Sequence, residues 1–382
     1  MKAVCDRNDC TGCGLCASLC PQKCIDMRAV DKLGHLYPVI DASRCTDCGR
    51  CRKVCPSLSE AALSAPSAAY AAWAEDREEY ESSASGGAAA VMARHILRKG
   101  GVVYGCAMLP GVEVRHIRID REEDLPLVKG SKYVQSSIAE VLPLIGADVK
   151  GEFPVLFTGT PCQVAAVKNM FARLPDNLYL VDLVCHGVPS IGLLRRHVDR
   201  IMPCRDCKSV IFRSGNDFCL KINPASEGYR TPAYSSHLST DRYKDFYLNA
   251  FMDGYTYRDS CYRCRFARPE RIGDITIGDF WGLGKERSAD DIPPHGCGCS
   301  LILPVSAKGA QLLEEIKPGL NIYRRTVSEA VEGNGQLKAA VHKGPRKVFY
   351  RVLARHTGGG WPYFLATADL RLRIKFKRRR QV

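Results

Sequence analysis

The chain has no run of about 18 consecutive apolar residues, the length a membrane-spanning helix requires. Its best stretch, Ala88 to Ala107, is broken by Arg94, His95, Arg98 and Lys99, so no spanning helix is expected. The N-terminus lacks the basic, apolar and cleavage-site pattern of a secretory signal. The 20 cysteines of this 382-residue chain therefore do not suggest a secreted disulfide scaffold. A reducing, cytoplasmic setting is expected, with thiols free to hold metal. Acidic residues are in deficit: 41 Asp and Glu face 55 Lys and Arg, a net charge of +14 that favours anionic partners. Basic residues interleaved with aromatic platforms are missing, which argues against nucleic acid. Seven positive charges, Arg371, Arg373, Lys375, Lys377, Arg378, Arg379 and Arg380, crowd the last twelve residues. That tail is expected either to meet an acidic redox partner or an anionic membrane surface, or equally to be a solvated, disordered tail. No internal repeat is evident apart from one doubled cysteine pattern.

That pattern organises the chain. Cys10-Thr-Gly-Cys13-Gly-Leu-Cys16-Ala-Ser-Leu-Cys20-Pro21 returns as Cys45-Thr-Asp-Cys48-Gly-Arg-Cys51-Arg-Lys-Val-Cys55-Pro56. This is the C-x2-C-x2-C-x3-C-P run of bacterial ferredoxins, in which the fourth cysteine serves the other cluster. Cys10, Cys13, Cys16 and Cys55 are thus expected to hold one 4Fe-4S cluster, and Cys45, Cys48, Cys51 and Cys20 the second. A lone C-x2-C is equally a zinc knuckle. Two complete runs, each closed by proline and carrying Gly12, Gly14 or Gly49, favour iron-sulfur and one-electron transfer.

At about 150 residues per domain the chain has room for two or three domains. Residues 1–57 form the cluster module and the small, polar segment 58–69 is a linker. Residues 70–345 repeat strand, turn and helix, the pattern of an α/β domain with a largely parallel sheet, and 346–382 is a basic C-terminal segment. The expected architecture is α+β / α/β. Expected elements include strands at Tyr70–Trp73, Val102–Ala107, Pro154–Phe157 and Leu178–Val184, a Val210–Ile222 hairpin, and helices at Ala88–Arg98, Ser136–Leu144, Ile191–Ile201 and Asp241–Met252. Loops at the carboxyl ends of such strands carry the chemistry.

Two of those loops open helices. The turn holding Ser83, Ser85, Gly86 and Gly87 offers backbone N–H groups to an anion, phosphate above all, although plain capping explains such a turn as well. Thr158-Gly159-Thr160-Pro161-Cys162-Gln163 has the same form, with Thr160 as N-cap and Pro161 at the first helical position. Lys132 and Tyr133 follow another glycine-serine turn and could equally be ordinary surface residues. Among the remaining cysteines, Cys204/Cys207 and Cys261/Cys264 are C-x2-C pairs, too far apart for the roughly 15 to 20 residues of a zinc ribbon. Cys162 and Cys185, each at the tip of an expected strand, could instead converge with Cys261 and Cys264 on a third cluster. Cys5, Cys24, Cys106, Cys219, Cys297 and Cys299 are expected to be ordinary thiols.

The blocks Ser83-Ala-Ser-Gly86-Gly87, Gly130-Ser-Lys-Tyr133, Phe157-Thr-Gly-Thr-Pro-Cys162-Gln163, Asp182-Leu-Val-Cys-His-Gly-Val-Pro-Ser190, Cys261-Tyr-Arg-Cys264 and Asp274-Ile-Thr-Ile-Gly-Asp-Phe-Trp-Gly282 stand in this order behind the ferredoxin module. Together they resemble the coenzyme F420 hydrogenase/dehydrogenase beta-subunit family over about residues 5 to 350. The resemblance implies an oxidoreductase with FAD in the α/β domain, a third 4Fe-4S cluster on Cys162, Cys185, Cys261 and Cys264, and hydride exchange with the deazaflavin F420. It makes Ser83, Ser85, Gly86, Gly87, Lys132, Tyr133, Thr158, Gly159, Thr160 and Gln163 candidate FAD contacts, with Asp279 to Gly282 beside the flavin face. Departures occur at Arg213-Ser214-Gly215-Asn216, where the family has an acidic-basic pair, and at the additional Cys204, Cys207, Cys297 and Cys299. A hydride carrier moves two electrons, clusters move one, and a flavin stands between them. The implied partners are an anionic hydride carrier and a ferredoxin or a hydrogenase/dehydrogenase subunit. Relatives also include reductases of other substrates, some associated with surface-polysaccharide synthesis. A non-catalytic electron-transfer subunit is the competing reading.

Overall fold

In a computed structural model, residues 3–225, 234–239, 245–286, 288–290 and 292–368 are described. The tail from Arg371 lies outside them. Each cysteine run winds into a single helical turn, Leu15–Ser18 and Arg50–Lys53, entered through a left-handed glycine: Gly14 at φ 78° and Gly49 at φ 73°. Glycine adopts that backbone without a Cβ clash, which lets the thiols turn inward within a few residues. Between the runs, β1 (Ile25–Ala29) pairs antiparallel with β2 (Leu36–Ile40). The core of this module is Val4, Ile25 and the cysteines themselves, too little hydrocarbon to hold a fold by burial alone. Leu15 leaves that core and inserts among Tyr104, Val164 and Phe266 of the following domain.

Eleven strands follow among the described residues: β3 (Ala69–Ala74), β4 (Val102–Leu109), β5 (Glu113–Ile119), β6 (Val155–Gly159), β7 (Leu178–Leu183), β8 (Cys207–Ser214), β9 (Asp217–Pro224), β10 (Tyr234–His237), β11 (Ile275–Asp279), β12 (Ser300–Pro304) and β13 (Leu320–Arg325). Eight make one sheet in the order β13-β3-β12-β11-β7-β6-β4-β5. Only its centre, β4-β6-β7-β11, is parallel. The expectation of a largely parallel sheet is corrected here. The β3 strand does not join its sequence neighbours; it is antiparallel to β12 and β13, Ala72 facing Ser300 and Ile322. It therefore runs the same way as β11, and the carboxyl ends of β3, β4, β6, β7 and β11 share one edge. The expected hairpin is present as β8 and β9 and belongs to a second, three-stranded sheet with β10.

Local signals account for several helix ends. Ala88–Arg98 forms as expected, and Ser190 and Asp245 cap Ile191–Val198 and Phe246–Met252 by accepting from Leu193 and Leu248 N–H. Residues 241–244 of the expected Asp241–Met252 helix lie outside the described set. The Ser136–Leu144 expectation needs correction: the helix is Val141–Asp148. Pro143 does not interrupt it but occupies the first turn, where its missing N–H has no intrahelical acceptor to lose. Segment 58–69 is tied down, Ser64 bridging to Arg271 and Ser67 N–H donating to the Pro304 carbonyl at 2.9 Å.

Between β7 and β11 a polar knot sets the parallel register. The Asp182 carboxylate accepts from Arg271 Nη2 (2.6 Å), Thr276 Oγ1 (2.9 Å) and Gly273 N–H (2.8 Å), with Asp182 and Arg271 only 0% and 2% exposed. Three residues beyond Asp182 the chain reaches Cys185. Among the described residues no helix is long and apolar enough to cross a membrane.

Candidate iron-sulfur centres and the adjoining cleft

The thiols of the first run meet the end of the second. Cys13 and Cys16 interact electrostatically with Cys10 and Cys55, and all four face one small cavity with Gly12 and Gly14. Burial pushes the Cys13 thiol up to about 12. Cys51 in turn interacts with Cys20 and Cys48. Cys55 of the second run thus stands with the first, and Cys20 of the first run stands with Cys48 and Cys51 of the second. Two cysteines expected to be ordinary need correction. Cys5 hydrogen-bonds Cys10 and Cys55, which pulls both thiols down to about 6, and Cys24 lies with its sulfur 3.5 Å from that of Cys20 and in contact with Cys45. Each set of four thus has a fifth thiol against it. No sequence signal marked them, because neither falls in the ferredoxin spacing.

Cys162, Cys185, Cys261 and Cys264 line one cavity of about 290 Å³. They arrive from three places: the helix following β6, the loop following β7, and the single 3-10 turn Asp259–Arg263. Cys162 and Cys185 each interact electrostatically with Cys261 and Cys264. Burial raises all four thiols, Cys162 to about 12 and Cys261 to about 11. Among the described residues no three His, Cys, Asp or Glu side chains are gathered closely enough to hold a single metal ion. Thiols set around a cavity rather than about a point suit a cluster better than zinc. Cys204 and Cys207 stand elsewhere, at the start of β8, with Cys207 in the core of the smaller sheet.

The carboxyl edge of the large sheet borders this cavity, and the sequence-selected residues collect along it. Thr158 and Gly159 end β6, and Thr160 both caps the next helix and lines the cavity. Gln163 is buried, its Oε1 accepting from Thr160 N–H and Oγ1 (3.0 Å each) and its Nε2 donating to Ser136 O and Oγ (3.1 and 3.0 Å). It braces the turn. The Ser83–Gly87 turn lies beyond β3. Ser83 Oγ donates to Glu79, Gly87 at φ 82° begins the helix, and a Cβ on Gly86 would strike the Ala72 carbonyl. Among the described residues the buried Ser85 hydroxyl has no partner, nor has Asp279 Oδ1 at the end of β11. The other Asp279 oxygen accepts from Arg213 (2.6 Å), whose guanidinium lies 5.0 Å from the Phe218 ring centre and 5.8 Å from that of Trp281. Tyr133 stacks on Phe251 at 4.6 Å, and burial raises its phenol to about 12. The half-buried Lys132 ammonium donates to the Lys129 carbonyl at 2.5 Å, and desolvation lowers its pKa.

His116, unremarked in the sequence, joins this network: Ser136 Oγ donates to its Nδ1 (3.0 Å) and its Nε2–H donates to the Thr158 carbonyl (2.9 Å). Burial lowers its pKa to about 4. A histidine depressed from about 6.5 resists protonation in the fold but not in the unfolded chain, so its stability contribution is present above about 6.5 and is lost as pH falls toward 4. Between pH 7 and pH 5 this costs about 2 kcal/mol. Urea unfolding at the two pH values is expected to show that loss in the parent and not in His116→Gln.

The doubled cysteine run and its exchanged ligand sets define an iron-sulfur electron-transfer protein. The family model for the carboxy terminus of the coenzyme F420 hydrogenase/dehydrogenase beta subunit matches residues 154–329, and a 4Fe-4S dicluster domain matches residues 9–58. Residues 154–329 thus resemble the carboxy-terminal part of that family, behind an N-terminal dicluster module. A second dicluster model matches 37–97, which contains only the four cysteines of the second run and so describes the same module. No curated protein matches the chain. Among solved structures, a chain of the F420-reducing [NiFe] hydrogenase complex from Methanosarcina barkeri is similar at 16% identity and a TM-score of 0.46, over 71% of this chain and 91% of that one.

Proposed function

We propose that the chain is an iron-sulfur flavoprotein oxidoreductase that exchanges hydride between coenzyme F420, or a related anionic hydride carrier, and FAD. Single electrons pass between it and a ferredoxin-like or hydrogenase/dehydrogenase partner. The observation that carries this reading is the adjacency of two features. A cavity with four cysteines, lined also by Thr160, opens beside the sheet edge at which β3, β6 and β11 end, and the Ser83–Gly87 turn follows β3 while Thr158 and Gly159 end β6 and Asp279 ends β11. Buried polar atoms without partners among the described residues, Ser85 Oγ and Asp279 Oδ1, and a half-buried ammonium resting on a backbone carbonyl fit a polar ligand at that edge. A bound FAD supplies the exchange between two-electron and one-electron chemistry. The chain's own task is to hold and to screen. Lys132 offers a cation to a phosphate or to a reduced ring, and Ser85 and the backbone after Gly87 offer donors. Phe218 and Trp281 exclude water, and Arg213 fixes the Asp279 carboxylate in place. Hydride transfer asks for stacking and dryness, and no side chain is assigned as acid or base.

The test is anaerobic. Purified protein is loaded with FAD and mixed separately with reduced F420, NADH, NADPH and reduced ferredoxin, while flavin absorbance is followed. Rapid bleaching by F420 is expected. Bleaching by ferredoxin alone would recast the chain as a ferredoxin-dependent reductase of another substrate, and failure of the folded chain to bind FAD would make it an electron-transfer subunit.

A further inference from the structure

Arg258 is the largest fully buried side chain among the described residues, 1% exposed, and no carboxylate among them pairs with it. Its guanidinium donates through Nε to the Cys10 carbonyl (2.6 Å) and through Nη2 to the Leu36 carbonyl (2.5 Å). Through Nη1 it donates to Gln135 Oε1 (3.1 Å), and Nη2 stands 3.6 Å from the Cys10 sulfur. The group lies over the Tyr37 ring at 4.3 Å, and a Cβ on Gly12 would come within 2.5 Å of Nη1. The adjacent Asp259 is already taken by Lys343, Arg351 and Arg355. An arginine cannot shed its proton to escape burial, and neutral carbonyls do not cancel its charge. A buried cation of this kind calls for an anion nearby, and the Cys10 carbonyl, the Cys10 sulfur and Gly12, all of the first cluster's ligand loop, lie against it.

A 4Fe-4S cluster held by four thiolates is anionic in both redox states and gains one more negative charge on reduction. We propose that Arg258 is the built-in counter-charge of the cluster on Cys10, Cys13, Cys16 and Cys55, raising its reduction potential above that of the Cys45-Cys48-Cys51-Cys20 cluster. Arg258 also sits on the wall between two cofactor sites. Its N–H donates to the Val188 carbonyl, in the loop that follows Cys185, and its carbonyl accepts from Cys261 N–H, both at 3.0 Å. Thr11, Pro56 and Ser57 line both the first-run cavity and the Cys162/Cys185/Cys261/Cys264 cavity. A fixed charge there makes the first cluster the entry or exit point for the electron crossing between the domains. Only this last step rests on the three-cluster reading; the counter-charge itself rests on the dicluster module.

The test is an anaerobic redox titration followed by electron paramagnetic resonance, which reads each cluster's midpoint without any substrate. In Arg258→Gln the reduced-to-oxidised ratio of one N-terminal cluster, taken at its parent midpoint, is expected to fall at least tenfold, a downward shift of about 59 mV for one electron. The other N-terminal cluster should not move, and Arg258→Lys should keep more than half of the effect. Unchanged midpoints in a fully loaded Arg258→Gln protein would overturn the proposal. Should that variant fail to load its clusters, the parent chain carrying arginine labelled with 15N in the guanidinium alone decides: a nitrogen coupling to one reduced N-terminal cluster in pulsed resonance is expected, and its absence overturns the proposal. Two clusters instead of three in the parent would count against the third site alone and leave the midpoint shift to be judged as before.

Discussion

Cys162→Ala is expected to remove one whole cluster: iron and acid-labile sulfide, at about 12 each per chain if three 4Fe-4S clusters are present, should fall to about 8. The expectation follows from where the residue stands. Cys162 occupies the first turn of the helix after β6, its sulfur 3.2 Å from Thr160 Oγ1, and nothing else on that turn can reach the cavity with a thiol. Burial keeps the lone thiol protonated, so the thiolate form depends on metal to compensate it. Cys204→Ala is the matched control. Its sulfur donates to the Arg195 carbonyl away from the cavity, and cluster content should be unchanged. Equal iron in Cys162→Ala and the parent would leave two clusters and return the four cysteines to a structural role.

The largest effect on stability is expected at Asp182. Removing the carboxylate in Asp182→Ala strands Arg271 with its charge unpaired inside the sheet, which costs about 3 to 5 kcal/mol. Chemical unfolding of the anaerobic protein, followed by far-ultraviolet circular dichroism, measures the loss. The double variant Asp182→Leu with Arg271→Met should recover most of it, since no charge then remains to be desolvated. A loss below about 1 kcal/mol in the single variant would mean that water reaches the knot and that β7 is registered by its apolar neighbours instead. Because Asp182 stands three residues before Cys185, a cluster held at the Cys162/Cys185/Cys261/Cys264 cavity should also be bound less tightly in the damaged protein.

Chemistry confined to a short stretch is legible in the sequence. The eight cysteines of the two runs announce their partners by spacing, and Thr160 with Pro161 announces a helix start by residue type. What depends on distant chain is not. Cys162, Cys185, Cys261 and Cys264 come from separate elements, and the resemblance, rather than their spacing, groups them. The pairing of Ala72 with Ser300 has no local signature, so the residues alone read β3 as a strand with parallel neighbours, whereas both of its neighbours run antiparallel to it. Pro143 reads as a breaker because composition does not say at which turn of a helix a proline falls. Arg258 is one of 55 basic residues, and burial is not a property of its letter.

The position of β3 bears on the order in which the protein is made. Its neighbours on both sides, β12 and β13, are among the last strands to be synthesised, and Gly86 is packed against Ala72 and Ser300. While the ribosome is still extending the chain, the Ser83–Gly87 turn has no wall to close against. The cluster module and the β4-β6-β7 ribbon can form early, but the turn waits for nearly the whole sequence, as contacts of long loop length do. Truncation after β11 should therefore leave a chain that still takes up iron at its N-terminal module yet lacks a finished sheet edge. The sheet acts as a proofreading device: the edge is completed only in a molecule whose far end has already been synthesised.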